Sequence, residues 1–561
     1  MIRDFDQADA ALPAECDVCI VGTGPAGTTV ANELAGSGLR VVILESGKLR
    51  PTLNGDRLRR TASEGIFIKD YSRERVLGGA STTWAGLSSP LDAVDLAPRG
   101  YLRQSGWPIA HAELSELYEE AAARYRFPPL SLFGADGFGA MRKKGGLQPS
   151  WSRVEEKVFL AASEPQNFGR EFRHLFDGPD VDVWLDATLV SLEGERDGGR
   201  VKEGLVRSSG GREARIRARV FVIATGGIEN ARLLLTSRTP WKTGLGNEHD
   251  QVGRWMMNHP KNYRGILHLS TPVGSAPYFF GCLHRGYAGY AGLRLPENVQ
   301  RQRQLLNSYV RLEPLFPWSD NRGVESLVML VKKSLFFQRW KAKKADEVVE
   351  LRDYSETGDD TDLQNERKTT AGWLALTGEI ARHAPSVAAY VHARLVRRRN
   401  PSIQRARLRN FIEMEPDPEN RVMLSDERDV YGQPLPLVRH RCTERDRRSL
   451  LELHEALADD FARAGVGRLE TDLAQADPWP IDQDASHHMG TTRMGLDPKT
   501  SVADAHGRVH AVENVYMAGA SLFPTSGCAN PTFTIVALSI RLARHLREEV
   551  FRPRTAQGAS T

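Results

Sequence analysis

The stretch "ECDVCIVGTGPAGTTVANELAGSGLRVVILESG", beginning at Glu15, constrains this chain more than any other. "DVCIV" is a short apolar strand that ends in Gly22, Gly24 and Gly27, spaced G-x-G-x-x-G. "PAGTTVANELA" then reads as a helix, with Pro25 tolerated in its first turn. "LRVVILE" is a second strand, nearly unbroken in Leu, Val and Ile, as a strand buried on both faces should be. The pattern is one βαβ unit with a division of labour. Gly22 permits the tight turn, Gly24 lets a pyrophosphate approach the backbone, and Gly27 lets helix and strand pack closely. Glu45 closes the second strand, roughly 20 residues beyond the glycines, where a carboxylate accepts from both ribose hydroxyls and repels a 2′-phosphate. FAD or NAD is therefore expected rather than NADP. Cys16 and Cys19 match C-x-x-C, but on a regular strand positions three apart face opposite ways, so no redox or metal role is expected.

The rest of the composition narrows the class. The 561 residues suffice for two or more domains, and 75 basic against 71 acidic residues leave +4, too little to imply nucleic acid. Five cysteines, an odd and sparse set, do not read as a disulfide framework. The opening "MIRDFDQADAALPAECD" holds no signal-like apolar core, and no run approaches the ~20 apolar residues of a membrane span. The expectation is a soluble, cytoplasmic protein without a transmembrane segment.

Three further segments repeat the theme of glycine and small residues at strand ends. "RVLGGASTTWAGLSS" (75–89) is a glycine-rich loop. It reads as a surface turn, or as a loop whose amides lie against another part of the same ligand. "ARVFVIATGGIENARLLLTS" (218–237) is a buried strand, a Thr-Gly-Gly turn and a helix. "ENVYMAGASLFPTSGCANPTFTIVALSIRLARHL" (513–546) is a strand, a loop and a helix opening at Asn530-Pro531-Thr532. The amides of that last helix would point at whatever lies before Asn530.

Taken in order with "HHMGTTRMG" (487–495), these anchors resemble the glucose-methanol-choline (GMC) oxidoreductases over residues 16 to about 547. "GGASTTW" and "HHMGTTRMG" bring the chain nearest the branch of pyranose 2-oxidase and bacterial glycoside 3-oxidases or 3-dehydrogenases. The resemblance implies an α/β plus α+β fold: a Rossmann-like FAD-binding domain with a discontinuous substrate domain built on a mostly antiparallel sheet. It divides the chain into 1–95, 151–260 and 481–561 for the FAD-binding side, 96–150 as a connecting segment, and 261–480 as the substrate domain. FAD would lie extended. Gly22, Gly24 and Gly27 would take its pyrophosphate, Glu45 its ribose, and the segment at Leu189 its adenine. Gly78, Gly79, Ser81 and Thr82 would border the isoalloxazine, while Ala520, Pro531 and Thr532 would reach the ribityl and pyrimidine edge. Pyranose 2-oxidase carries a flavin-linked histidine before the tryptophan of the first loop. Thr83 stands there in this sequence, so noncovalent FAD is expected.

Oxidising an alcohol needs a base for the hydroxyl proton and an acceptor for the hydride. A neutral imidazole, pKa ~6.5, suits the base role. Adjacent residues of an extended segment point opposite ways, so only one of His487 and His488 should face the flavin. The family pattern puts the base at His487 and its oxygen-orienting partner, His or Asn, at Asn530. Two adjacent histidines without a Cys or carboxylate set make a poor metal site, and no G-x-S-x-G elbow supports a hydrolase.

The middle of the chain is less explicit. "PYFFGCLHRGYAGYAG" (277–292) suits either a loop that stacks on sugar rings or a packed hairpin. "RARLRNFIEMEPDPENRVMLSDERDVYGQPLPLVRHR" (405–441) reads as strands with a turn at 416–420, placing Phe411, Glu413 and Glu415 on one face. Glu413 is the candidate substrate contact, against the plainer reading of an exposed strand acid. Basic runs at 331–344 and 391–409 suit solvated helix faces, a membrane surface or a docking face for an electron acceptor. The acidic run 355–366 between them reads as a loop. The expected reaction is FAD-dependent oxidation of a secondary hydroxyl of a sugar or glycoside to a ketone, with oxygen, a quinone or a protein as acceptor. A dehydrogenase subunit passing electrons to a partner, and a non-redox flavoprotein such as a lyase or a non-catalytic subunit, remain the alternatives. The oligomeric state is open.

Overall fold

The computed structural model describes residues 1–134, 137–139, 147, 149–162, 164–279, 282–284, 286–333, 373–397, 401–482 and 486–552. The N-terminal unit builds an eight-stranded sheet from β1 (Ile2–Asp4), β2 (Glu15–Val21), β3 (Val41–Leu44), β6 (Val181–Leu185), β7 (Thr188–Gly194), β8 (Val201–Arg207), β9 (Glu213–Ile223) and β19 (Val515–Met517). Its order is β1-β6-β3-β2-β9-β8-β7, with β19 also on β9. All pairs from β1 to β9, and β9 with β19, are parallel; β7, β8 and the start of β9 form an antiparallel meander. The central strands are buried on both faces, with Val18 and Ile20 packing into one core and Cys19 and Val21 into another. The uniformly apolar sequence of β2 and β3 follows from that double burial. Helix Pro25–Leu34 packs against helix Pro531–His545, which joins the two ends of the chain.

Cys16 and Cys19 do not face opposite ways. Asp17 and Val18 both donate their N–H to Arg40 O, at 3.0 and 3.2 Å, where β2 starts to pair with β3. Both cysteines pack into the same core, where both are free thiols. The neighbouring Cys16 and burial raise the Cys19 thiol well above its ordinary pKa. No metal-binding cluster occurs among the described residues.

A second eight-stranded sheet is antiparallel throughout. It contains β5 (Glu155–Ala162), β10 (Lys261–Asn262), β11 (Ile266–Val273), β12 (Cys282–His284), β13 (Tyr287–Arg294), β14 (Tyr309–Leu315), β15 (Ile403–Phe411) and β18 (Gly467–Glu470). The stretch 277–292 thus ends in the β12–β13 hairpin. The expected division at 151–260 does not follow the sheets, because β5 pairs along its whole length with β13. Residues 405–441 also split. β15 ends at Phe411 in this sheet, while β16 (Arg421–Arg428) and β17 (Pro434–Arg439) join β4 (Ala62–Glu64) in a third.

One face of the second sheet carries a stack of aromatic rings. Phe159 lies 5.2 Å from Tyr290 and 4.5 Å from Tyr309, and Tyr309 lies 4.5 Å from Phe411. Such pairs contribute about 0.5–1.5 kcal/mol each beyond their buried area. This face looks across a cavity toward the carboxyl ends of β2 and β9. Residues 334–344 of the first basic run, 398–400 of the second and the whole acidic run 355–366 lie outside the described residues. The rest of the second basic run is not one solvated helix face, since Arg405, Arg407 and Arg409 belong to β15. No helix among the described residues is long and apolar enough to cross a membrane.

Candidate active site

A cavity of about 430 Å³ runs from the end of β3, past the glycine turn, to the aromatic face of the second sheet. The three glycines divide their work as their spacing suggests. Gly22 has φ +100, and a Cβ there would meet Ala224 O at 2.7 Å. Gly27 sits outside the cavity lining, where a Cβ would come 2.0 Å from Gly22 O, so the helix could not close on the strand. A Cβ on Gly24 would meet nothing within 4 Å, because that position opens into the cavity. Glu45 is buried at the cavity wall and held by Thr23 N–H (3.0 Å), Thr23 Oγ1–H (2.6 Å) and Gly47 N–H (2.8 Å).

The second loop meets the first through Gly78, whose N–H donates to Thr23 Oγ1 at 3.0 Å. Gly79 and Ser81 line the cavity, with Ala80, Thr83 and Trp84; Gly78 and Thr82 lie outside the lining. Leu189, Ala520, Pro531 and Thr532 line it too. Helices Pro25–Leu34 and Pro531–His545 start at this cavity with no side-chain cap at Gly24 or Asn530, as does helix Gly227–Thr236 at Gly226. Their first-turn amides and positive dipole ends therefore face the space between them.

The histidine segment is stitched in place by its backbone. Met489 and Met257 exchange N–H to O bonds of 2.9 Å, and Gly490 N–H donates to Ala520 O at 3.1 Å. His487 N–H donates to Asn258 Oδ1 at 3.1 Å. The His487 Nε2 stands 3.5 Å from Asn530 Nδ2, so the two expected partners meet at the cavity wall. His488 borders the cavity as well, with its backbone against Gly227. Strand alternation does not separate the pair, because 486–488 lie outside any strand and Ser486 adopts φ +64.

No motif in the sequence points to His259. Its Nδ1 lies 2.8 Å from His487 Nδ1 and its Nε2 lies 2.8 Å from Gly527 O, with the two rings nearly perpendicular. Burial pushes its pKa down to about 4, only partly offset by the Gly527 carbonyl and the charge of Glu413. Nothing local marks the partnership, since the two histidines are 228 residues apart.

Glu413 is neither a substrate contact nor an exposed strand acid. It lies beyond the end of β15, and its side chain and that of Arg99 are both 0% exposed. The pair is bidentate, at 2.6 and 3.0 Å, and Glu413 also accepts from Asn307 N–H and Gly527 N–H. Burial pushes its carboxyl pKa up, but Arg99 and these donors hold it below the usual value. The residues of this region that do reach the cavity are Lys261, Arg311 and Arg409, with Tyr290, Tyr309 and Phe411. They come from four strands, and Arg311 and Arg409 are directly opposed in the β14–β15 register. Only Phe411 was picked out by alternation.

These donors suit FAD. An open Gly24 beside an uncapped helix start matches a pyrophosphate, and a fixed Glu45 matches a ribose diol. A second uncapped helix start at Asn530 matches the electron-rich edge of a flavin. Comparison with known proteins agrees. Residues 416–539 match the family described as GMC oxidoreductase, and residues 15–55 match an FAD binding domain. The chain is 25% identical to the 6'''-hydroxyparomomycin C oxidase of Streptomyces lividus, covering 96% of this chain and 93% of that protein. It is 36% identical to the C-glycoside 3-oxidase of Arthrobacter globiformis over 22% of this chain and 23% of that one. Among solved structures, pyridoxine 4-oxidase from Mesorbium loti superposes with a TM-score of 0.52 at 15% identity, over 94% of this chain and 99% of that chain.

Proposed function

Because the chain belongs to the GMC oxidoreductases and is an FAD-dependent enzyme acting on CH–OH groups, we propose that it oxidises a secondary hydroxyl of a sugar or glycoside to a ketone, with His487 as the base. The observation that carries this reading is the convergence of His487 Nε2 and Asn530 Nδ2, 3.5 Å apart at the cavity wall. An alcohol oxygen placed between them gives its proton to His487 and accepts from the Asn530 amide, which fixes the direction of the O–H bond. FAD, when bound, supplies the hydride acceptor.

A sugar fits the opposite wall. Tyr290, Tyr309 and Phe411 offer flat apolar rings, while Lys261, Arg311 and Arg409 offer donors to hydroxyl oxygens. The names of two relatives, an oxidase of hydroxyparomomycin C and an oxidase of C-glycosides, support a glycoside-like substrate. FAD is held without a covalent bond in this reading. Thr83 occupies the place of the linking histidine and donates its hydroxyl to Tyr71 O at 2.9 Å.

An anaerobic panel of sugars, glycosides and simple alcohols tests the substrate class through loss of the oxidised flavin absorbance. Bleaching by at least one sugar or glycoside, well ahead of simple alcohols, is expected. A flavin that dithionite reduces but no sugar bleaches contradicts the proposal. Peroxide yield in air, set against dye reduction without it, then separates an oxidase from a dehydrogenase that passes electrons to a partner.

A further inference from the structure

His259 is 2% exposed and lies outside the cavity lining, so it acts only through what it touches. Its Nε2 faces the Gly527 carbonyl oxygen at 2.8 Å. A carbonyl oxygen only accepts, so this nitrogen carries a hydrogen. A neutral imidazole carries one hydrogen, which leaves Nδ1 of His259 as an acceptor. That acceptor lies 2.8 Å from His487 Nδ1, which must therefore be the donor. A neutral His487 that carries its hydrogen on Nδ1 has a bare Nε2, and this is the nitrogen that faces Asn530.

We infer that His259 is a positioning residue: it holds His487 in the Nδ1–H tautomer and so keeps Nε2 aimed into the cavity as the proton acceptor. The inference rests on His487 being the base. Proton uptake forms a new N–H bond at Nε2 as the substrate O–H bond breaks, and the Nδ1–H donated to His259 is unchanged. His259 remains neutral while it does this, because burial holds its pKa at about 4. The charged groups acting on it are Glu413, which favours its charged form, and Lys261, which opposes it. The acceptor is itself anchored from below. Glu413 takes the Gly527 N–H at 3.2 Å, which fixes the carbonyl that His259 bonds. The backbone of the two histidines is tied by one amide, since Asn258 Oδ1 accepts from His259 N–H at 2.8 Å and from His487 N–H at 3.1 Å.

Nitrogen NMR of the FAD-bound protein labelled with 15N-histidine reads the tautomer directly, with His487 assigned by its absence in His487→Ala. Protonated Nδ1 and bare Nε2 on His487 are expected; the opposite tautomer overturns the inference. Kinetics supply the second test. His259→Phe, which cannot accept, should slow anaerobic flavin bleaching about 100-fold while FAD occupancy and substrate half-saturation stay within about twofold. His259→Gln, whose amide both accepts and donates, should recover most of the loss. In a His487→Ala background, His259→Phe should cost nothing further. An equal further loss there overturns the positioning role and leaves the base reading intact. If His487→Ala alone fails to slow bleaching, the base reading fails instead. If His259→Phe does not retain FAD, the NMR assignment decides alone.

Discussion

Glu413 shows how one residue can be misread by pattern. Alternation from Phe411 placed it on the cavity face, but β15 ends at Phe411 and alternation ends with it. Its actual role is set by Arg99, 314 residues away, a partner that no local pattern could announce. Removing one member of a fully buried ion pair strands the other charge, at a cost of about 3–5 kcal/mol. Glu413→Ala should therefore lower the melting temperature severely, and so should Glu413→Gln, which is neutral and sets its NH2 group against N–H donors of Arg99 and of Asn307 or Gly527. Thermal melting of the two purified variants checks this. Melting of Glu413→Ala together with the wild type, and a raised substrate half-saturation instead, would return Glu413 to the cavity. His487 and Asn530 were legible for the opposite reason: each sits in a short motif, and the fold brings the two motifs together.

At the scale of elements, the glycine turn was readable because its reasons are local. Its three glycines differ in what they face, and that difference is testable. Gly24→Ala adds a methyl group to open space at the glycine-turn end of the cavity, so the chain should fold and lose FAD affinity. Gly27→Ala drives a Cβ into Gly22 O at 2.0 Å and should destabilise the whole βαβ unit. Circular dichroism with FAD titration separates these outcomes. An apoprotein of Gly24→Ala that unfolds, or a Gly27→Ala variant with native stability, would contradict the assignment. The start of β2 shows the limit of local reading. Cys16 and Cys19 stand three apart on β2 yet pack into one core, and the sequence of β2 carries no mark of it.

For the whole molecule, the two sheets were foreseeable as types and their memberships were not. β5 joins β13 across more than a hundred residues, and the cavity wall gathers Lys261, Arg311 and Arg409 from separate strands. Such pairings depend on tertiary packing that outweighs local propensity. The same packing buries titratable groups. His454 is buried between Asn410 and Thr471, and burial holds its pKa at about 4. Below pH 6.5 the unfolded chain binds a proton at this position that the folded chain refuses until about pH 4. The contribution of His454 to stability is therefore lost as pH falls through that window. Relative to His454→Gln, the wild type should lose about 2–3 kcal/mol of advantage between pH 7 and pH 4.5. Denaturant midpoints at the two pH values measure it, and a pH-independent difference would show that His454 titrates normally. Acid precipitation tests the cofactor's attachment: yellow FAD should remain in solution, and colour retained in the pellet would show a covalent link.

The central claim is that His487 takes the substrate proton. Rapid mixing of the FAD-bound protein with a bleaching sugar, without oxygen, measures it in one turnover. His487→Ala should bind FAD as the wild type does and bleach about a thousandfold more slowly at saturating sugar; bleaching at the wild-type rate would contradict the account.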